Sequence, residues 1–316
     1  MSNLSLSGVS VVVPAFNAEL TIARTLHAIL AQSILPDEIL VVNDGSTDRT
    51  HEVALEVGAS RVQIIDQINR GVSAARNRGV SSARNELIAF CDADDVWDTH
   101  FMETILRLRR NYRDAVAYGT AYYISPPGRA SYSVRLHGLR TTESECTLEN
   151  YFEVASLSDP PLHSSAVAVK RLILERIGGF PETVASGEDL LTWARIALCG
   201  PIAYSREVLA THFCPDRLDF TRPSDLSDPV GRALLGLLIG APQSQRMWLR
   251  RYLARWHEMR TFIALGQNNI RLARRHIIQD LRYGGPSLRT LAVAGLCALP
   301  GWCAWKAFAA VRKGSL

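Results

Sequence analysis

The feature that most constrains this chain is a regular alternation of short apolar runs and amphipathic helical stretches across its first hundred residues. Val9-Ser10-Val11-Val12-Val13 is strand-length, β-branched and closed by Pro14, as a buried strand should be. Asn17 stands where it would cap a helix, with Glu19 in its first turn and Ile22, Leu26, Ile29 and Leu30 on one face. Glu38–Val42, Arg61–Ile65 and Leu87–Cys91 repeat the strand signal. The stretches from Thr50 to Val57 and from Asn69 past Arg76 repeat the helical one. A βαβαβαβ series argues for a parallel sheet with helices on its faces. Ligands of such sheets sit beyond the carboxyl ends of the strands. Pro14–Asn17, Asn43-Asp44 and Asp92–Asp95 should therefore converge on one edge.

Residues 100–215 are less regular. His100–Asn111, Leu172–Ile177 and Glu188–Leu198 read as helices, and Tyr118–Ser125 and Ala166–Val169 as strands. Residues 216–230 are rich in Asp, Ser, Pro and Arg and read as a linker. From about 231 onward the pattern is helical. The expected division is a catalytic domain at 1–215 and a linker with a basic helical module at 216–316.

A net charge of +4 hides an asymmetry: Arg246–Lys313 holds 13 Lys and Arg against Glu258 and Asp280. An anionic partner follows for this quarter of the chain, and a membrane surface or phosphorylated lipid suits it better than nucleic acid, for which no recognition motif is present. Leu291–Val311 is nearly all apolar but contains Pro300-Gly301 and Lys306. These disfavour a regular membrane span, while Trp302, Trp305 and the flanking cations suit an interface. Packing on the catalytic domain is the competing reading. The six cysteines form no CxxC pair, so neither a zinc site nor a disulfide framework is expected. Residues 1–8 carry no cationic stretch leading into an apolar segment, so the catalytic part is expected in the cytosol, peripheral at the inner face of the membrane.

Chemistry concentrates at the strand ends. Asp92, Asp94 and Asp95 follow the fourth strand, and acids so close repel unless a cation or hydrogen-bond donors compensate. Oxygen ligands in that pattern suit Mg²⁺ or Mn²⁺. The plain alternative is a helix cap or a solvated turn. Asp44-Gly45-Ser46 offers a carboxylate to a ribose or base N–H, or simply forms an Asx-turn. Glu188-Asp189 opens a helix, where acids complement the dipole. His163 and His212 could meet metal, diphosphate or acceptor, and Trp97 could stack on a sugar or anchor the core. Arg217 and Arg222 could clamp a diphosphate. No GxGxxG follows the first strand, which removes the basis for a dinucleotide-dependent dehydrogenase.

Taken together, Val11–Asn17, Val41–Asp48, Asn69–Asn77, Phe90–Asp95 and Gly178-Gly179-Phe180 with Gly187-Glu188-Asp189 resemble glycosyltransferase family 2 in motif, order and spacing. The resemblance covers roughly residues 8–215. It implies a GT-A fold, which is an α/β, Rossmann-like, mostly parallel central sheet, followed here by an all-helical C-terminal extension. Pro14, Phe16, Asn17 and Glu19 would line the nucleoside pocket. Asp44 would contact base or ribose, and Arg76 would lie near base and diphosphate. Asp92 and Ala93 would be donor-binding positions, Asp94 the ligand of a divalent Mn²⁺ or Mg²⁺, and Asp189 the general base. Two positions depart from the family pattern: Asn43 replaces an Asp, and Phe16 replaces a Tyr. The implied activity is inverting transfer from a nucleotide diphosphate sugar, a UDP-sugar first among them, to a glycan or lipid-linked hydroxyl in cell-surface polysaccharide synthesis. The rival readings are transfer to a polyprenyl phosphate, which needs no strong base, and a catalytically silent nucleotide-sugar-binding protein.

Overall fold

The computed structural model describes residues 8–214 and 227–314, with side chains to 308. Arg217 and Arg222 lie outside the described residues. The first half runs β1 (Val9–Ala15), α1 (Ile22–Leu30), β2 (Glu38–Asp44), α2 (Thr50–Gly58), β3 (Val62–Gln67), α3 (Val72–Ser82) and β4 (Leu87–Phe90). The strands lie in the order β3-β2-β1-β4, every pair parallel. β1, β2 and β4 are buried along their whole length, which is why their sequences are mostly apolar rather than alternating.

The second half runs β5 (Val96–Trp97), α4 (Phe101–Asn111), β6 (Ala117–Ile124), β7 (Tyr132–Ser133), β8 (Glu145–Thr147), α5 (Tyr151–Leu157), β9 (Val167–Lys170), α6 (Arg171–Arg176), α7 (Glu188–Ala197) and β10 (Ile202–His212). The sheet continues as β4-β9-β6-β10-β5. β9 is antiparallel to β4 and to β6, β10 is parallel to β6, and β5 is antiparallel to β10. Because β9 is antiparallel, it begins where β4 ends: Phe90 pairs with Val167. Ala210 and Thr211 likewise pair with Trp97 and Val96. Residues 163–165 and 212 therefore reach the same edge as Asp92–Asp95.

The helical region comprises α8 (Pro229–Gly240), α9 (Gln243–Gly266), α10 (Ile270–Gly284), α11 (Leu288–Ala298) and α12 (Gly301–Gly314). Asp228, Asn269 and Ser287 cap α8, α10 and α11 through side-chain oxygens. Leu249, Tyr252, Leu253 and Trp256 of α9 belong to the same buried core as the sheet. A smaller core, including Leu265, Leu272, Ile277, Val293 and Phe308, joins the end of α9 to the last three helices. Among the described residues no helix is long and apolar enough to cross a membrane. The apolar stretch Leu291–Val311 is divided between α11 and α12, with Pro300 exposed at the break.

Candidate active site

The β1–α1 and β2–α2 loops are bonded to each other. Asn17 does not cap α1, whose first helical residue is Ile22 and whose N-cap position is Thr21. Its side chain is engaged elsewhere: Oδ1 accepts from Thr47 N at 2.9 Å. Its own N–H donates to Ser46 Oγ at 3.0 Å, in a left-handed conformation with φ 48°. Glu19 likewise accepts from Arg49 N at 3.0 Å and donates its N–H to Asp48 at 3.1 Å. Pro14 is buried in β1, and Phe16 stands 50% exposed at the strand end with an open aromatic face.

Asp44 is buried and its carboxylate is already satisfied. Oδ1 accepts from Gln67 Nε2 at 2.7 Å and Arg70 N at 2.8 Å, and Oδ2 accepts from Gly71 N at 2.8 Å. In this arrangement it shapes the loop between β3 and α3. Gly45, at φ +73°, lets Asn69 approach where any Cβ would overlap its backbone. Asn43 donates from Nδ2 to Asp66 Oδ1 at 2.8 Å. An aspartate there would oppose the Asp66 carboxylate, so the amide suits this chain.

Arg76 forms the floor of the edge. It is 3% exposed, donates to Asp92 Oδ1 at 2.7 Å and lies 3.4 Å from Glu188 Oε1. Its guanidinium carbon is 5.1 Å from the centre of the Phe180 ring. Burial opposes the charge, but Asp92 and Glu188 outweigh it and hold the guanidinium firmly protonated. Burial and the adjacent Asp189 push the Glu188 carboxyl up, against the pull of Arg76. α3 and the glycine turn are joined nearby, since Asn77 bonds the N–H and the carbonyl of Phe180 at 2.8 Å each.

The three acids after β4 have different surroundings. Asp92 N donates to Ser165 Oγ at 3.0 Å. Ala93 is buried, while Asp94 is exposed. The Asp94 carbonyl accepts from Arg24 at 2.7 Å, fixing the turn to α1. Desolvation, then Asp95 and Asp92, push the Asp94 carboxyl up to about 6, with His212 opposing. A carboxylate so crowded by its own kind is suited to a cation.

Asp95, with no exposed surface, is a hub that sequence reasoning missed. It accepts from Ser165 Oγ at 2.5 Å, Phe213 N at 3.0 Å and His212 Nδ1 at 3.2 Å. Despite burial, the His212 bond, the His163 and His212 charges and the Ser165 bond keep it below the ordinary carboxylate range. His163 Nδ1 accepts from Ser165 N at 3.1 Å. That lone pair faces the backbone, and burial beside His212 lowers His163 to about 4. His212 turns Nδ1 toward the Asp95 carboxylate. Burial works against its proton, but Asp95 raises it overall. A carboxylate that orients an imidazole through Nδ1–H is a common support for a metal-ligating histidine. Asp95, His163 and His212 bring their ligand atoms within 4.8 Å of one another, but protein donors already fill Asp95.

Asp189 lies in the first turn of α7, partly buried. Gly187, at φ +84°, starts that helix against the Trp256 indole, and a Cβ there would overlap the ring. Tyr252 Oη donates to the Leu190 carbonyl at 3.0 Å, so α9 braces α7 from behind. Trp97 is 3% exposed, stacks on Phe101 at 4.1 Å and donates to the Ser165 carbonyl at 2.7 Å. It anchors the core and is not available to stack on a sugar. A surface pocket lined by Pro36, Glu38, Arg61 and Arg84 lies at the amino ends of β2 and β3, away from this chemistry.

The comparisons with known proteins agree with this geometry. An Escherichia coli protein named UDP-Glc:alpha-D-GlcNAc-diphosphoundecaprenol beta-1,3-glucosyltransferase WfgD is 32% identical over 112 residues, covering 35% of this chain and 44% of that protein. Across two such curated relatives the match spans only 17% and 44% of the relative's own length. Staphylococcus aureus TarS 1–349 in complex with UDP-GlcNAc superposes with a TM-score of 0.66 at 18% identity, over 97% of this chain and 92% of that one. The Pyrobaculum calidifontis mannosyltransferase PcManGT, in complex with GDP-Man and Mn²⁺, gives 0.60 at 20% identity, over 96% and 85%. These structural likenesses establish the fold. The family model described as Glycosyl transferase family 2 matches residues 10–178, more than half of the chain, and the chain therefore belongs to glycosyltransferase family 2, with the GT-A fold.

Proposed function

We propose that the chain is an inverting glycosyltransferase that moves a sugar from a nucleotide diphosphate sugar, a UDP-sugar first, to a hydroxyl of a glycan or lipid-linked acceptor. The observation that carries this is the convergence of Arg76, Asp92, Asp94 and Glu188-Asp189 at one sheet edge, bridged by the buried Arg76 guanidinium. Phe16 offers its exposed ring to a base, while Asn17, Glu19 and Asp44 set the loops around it. Ala93 holds the backbone between the two acids close to the donor. Asp94 and His212 would hold a Mn²⁺ or Mg²⁺ ion, which neutralises charge on a departing diphosphate. Asp189 accepts the proton of the acceptor hydroxyl as it attacks the anomeric carbon, and attack opposite the leaving group inverts that centre. The donors named with the structural neighbours, UDP-GlcNAc and GDP-Man, and the Mn²⁺ of one of them support the reading.

The helical region supports work at a membrane face. Leu288 is 91% exposed, Trp302 67% and Trp305 42%, with Lys306 beside the Trp302 ring. Exposed indoles with cations suit a headgroup layer. A lipid-linked acceptor, of the kind named for WfgD, would be met there. The test is release of nucleotide from the donor in the presence of acceptor. Asp94→Ala and Asp189→Ala should each abolish it while leaving the circular dichroism spectrum intact, and full activity in either variant overturns the assigned role.

A further inference from the structure

Far from the strand-end acids, three potential ligand atoms from separate elements converge inside the helical region. His257 of α9 and His276 of α10 are 5% and 1% exposed. Their Nδ1 atoms face each other at 3.0 Å. Asp228, the N-cap of α8, points Oδ2 at both, 3.7 Å from His257 and 4.0 Å from His276. Oδ1 of the same carboxylate accepts the two ordinary bonds, from Gly231 N and Trp256 Nε1 at 3.0 Å each.

We propose that Asp228, His257 and His276 form a second metal site, a structural zinc site that fastens the start of α8 to the α9–α10 hairpin. Tetrahedral zinc with bonds of about 2.0–2.1 Å holds its ligand atoms roughly 3.3–3.4 Å apart. The two nitrogens need to part by about 0.3–0.4 Å, and the carboxylate oxygen to close by about 0.3–0.4 Å on His257 and about 0.6–0.7 Å on His276. Two imidazoles and one carboxylate are a zinc donor set, leaving a fourth position for water. Without an ion, one ring must donate its Nδ1–H to the other, so only one of the two Nδ1 lone pairs is used. With an ion, both Nδ1 lone pairs have the same target. A small cleft lined by Ser186, Pro229, Trp256 and Arg260 reaches Asp228.

The site has a path to the catalytic edge. The Trp256 indole bonded to Asp228 is the ring packed on Gly187, immediately before Glu188-Asp189. Occupancy would stiffen the support of the proposed base.

The experiment uses the full chain, stripped with a chelator and then dialysed against Zn²⁺ alone or Co²⁺ alone. The site predicts one tightly held zinc per chain that Asp94→Ala retains and that His257→Gln and His276→Gln each lose, together with the zinc-induced rise in Tm. In the wild type, Co²⁺ should give the intense visible absorption of tetrahedral coordination. A stripped wild type that takes up no zinc, or histidine variants that hold as much as the wild type, overturns the proposal. If the variants fail to fold, the wild-type cobalt spectrum decides, and octahedral absorption alone rejects the site. Loss of zinc in Asp94→Ala but not in the histidine variants would place the ion at the strand-end acids and reject this site while leaving the transferase reading standing.

Discussion

Arg76 Nη2 lies 2.7 Å from Asp92 Oδ1, in an ion pair whose arginine side chain is 4% exposed and whose aspartate is 22% exposed. Helix α3 thereby brings a cation against the first acid after β4, beside Asp94 and Asp95. The same guanidinium reaches Glu188, so one residue couples the donor side of the site to the helix bearing the proposed base.

Removing that charge should be costly. Arg76→Met leaves two carboxylates facing a buried apolar chain, and breaking a buried pair in this way costs about 3–5 kcal/mol. Urea unfolding should show a loss of that order, with Arg76→Lys losing less. A loss below about 1 kcal/mol would mean the pair is effectively solvated.

Gly187→Ala tests the brace between α9 and the base helix. The residue sits at φ +84° with the Trp256 ring filling the space of a Cβ. A strained backbone of this kind costs about 1–3 kcal/mol. Because the strain falls one residue before Glu188, kcat should drop at least tenfold, with donor KM little changed. Unaltered kcat would show that the start of α7 tolerates displacement.

Asp280 gives a pH dependence of definite sign. Burial and the nearby Glu258 push its carboxyl up to about 6, and Oδ2 has no hydrogen-bond partner among the described residues. In the unfolded chain the carboxyl ionises near the ordinary value of about 3.9. Between those values the folded state binds more protons, so stability falls as pH rises toward 6 and stays reduced above it. Asp280→Asn should therefore stabilise at pH 8 by on the order of 2 kcal/mol and give little benefit near pH 4. Equal effects at the two pH values would contradict the shift.

The membrane reading turns on two indoles. Trp302 and Trp305 are exposed on α12, and replacing both by Ser should reduce cosedimentation with vesicles containing anionic lipid severalfold while leaving Tm unchanged. Equal sedimentation of variant and wild type would remove α12 from any membrane contact.

Much of this architecture is legible in the sequence, and the limits have physical causes. β1, β2 and β4 announce themselves because they are buried along their whole length, so apolar residues follow one another without a strict alternation. β7 and β8, of two and three residues, carry no periodicity to read. The strand-end acids were visible as a cluster, but Asp95 looked equivalent to its neighbours. Its role as a hub depends on Ser165 and His212, which arrive through β9 and β10 pairings from 70 and 117 residues away in the chain. Asn17 has the chemistry of a helix cap and sits close to a helix, yet the hydroxyl and backbone of Ser46 and Thr47 hold it elsewhere. The Asp228, His257 and His276 cluster lacks any sequence signature, since its members are 29 and 19 residues apart and meet only when α8, α9 and α10 pack.

The most direct test of the central claim is calorimetric titration of the full chain with UDP and GDP, with Mn²⁺ and then with EDTA, in the wild type and in Asp94→Ala. A donor site built on the strand-end acids predicts that one nucleotide binds at least tenfold more tightly with Mn²⁺ and that Asp94→Ala loses this enhancement. Binding that is indifferent to Mn²⁺, or an enhancement that survives in Asp94→Ala, would contradict it.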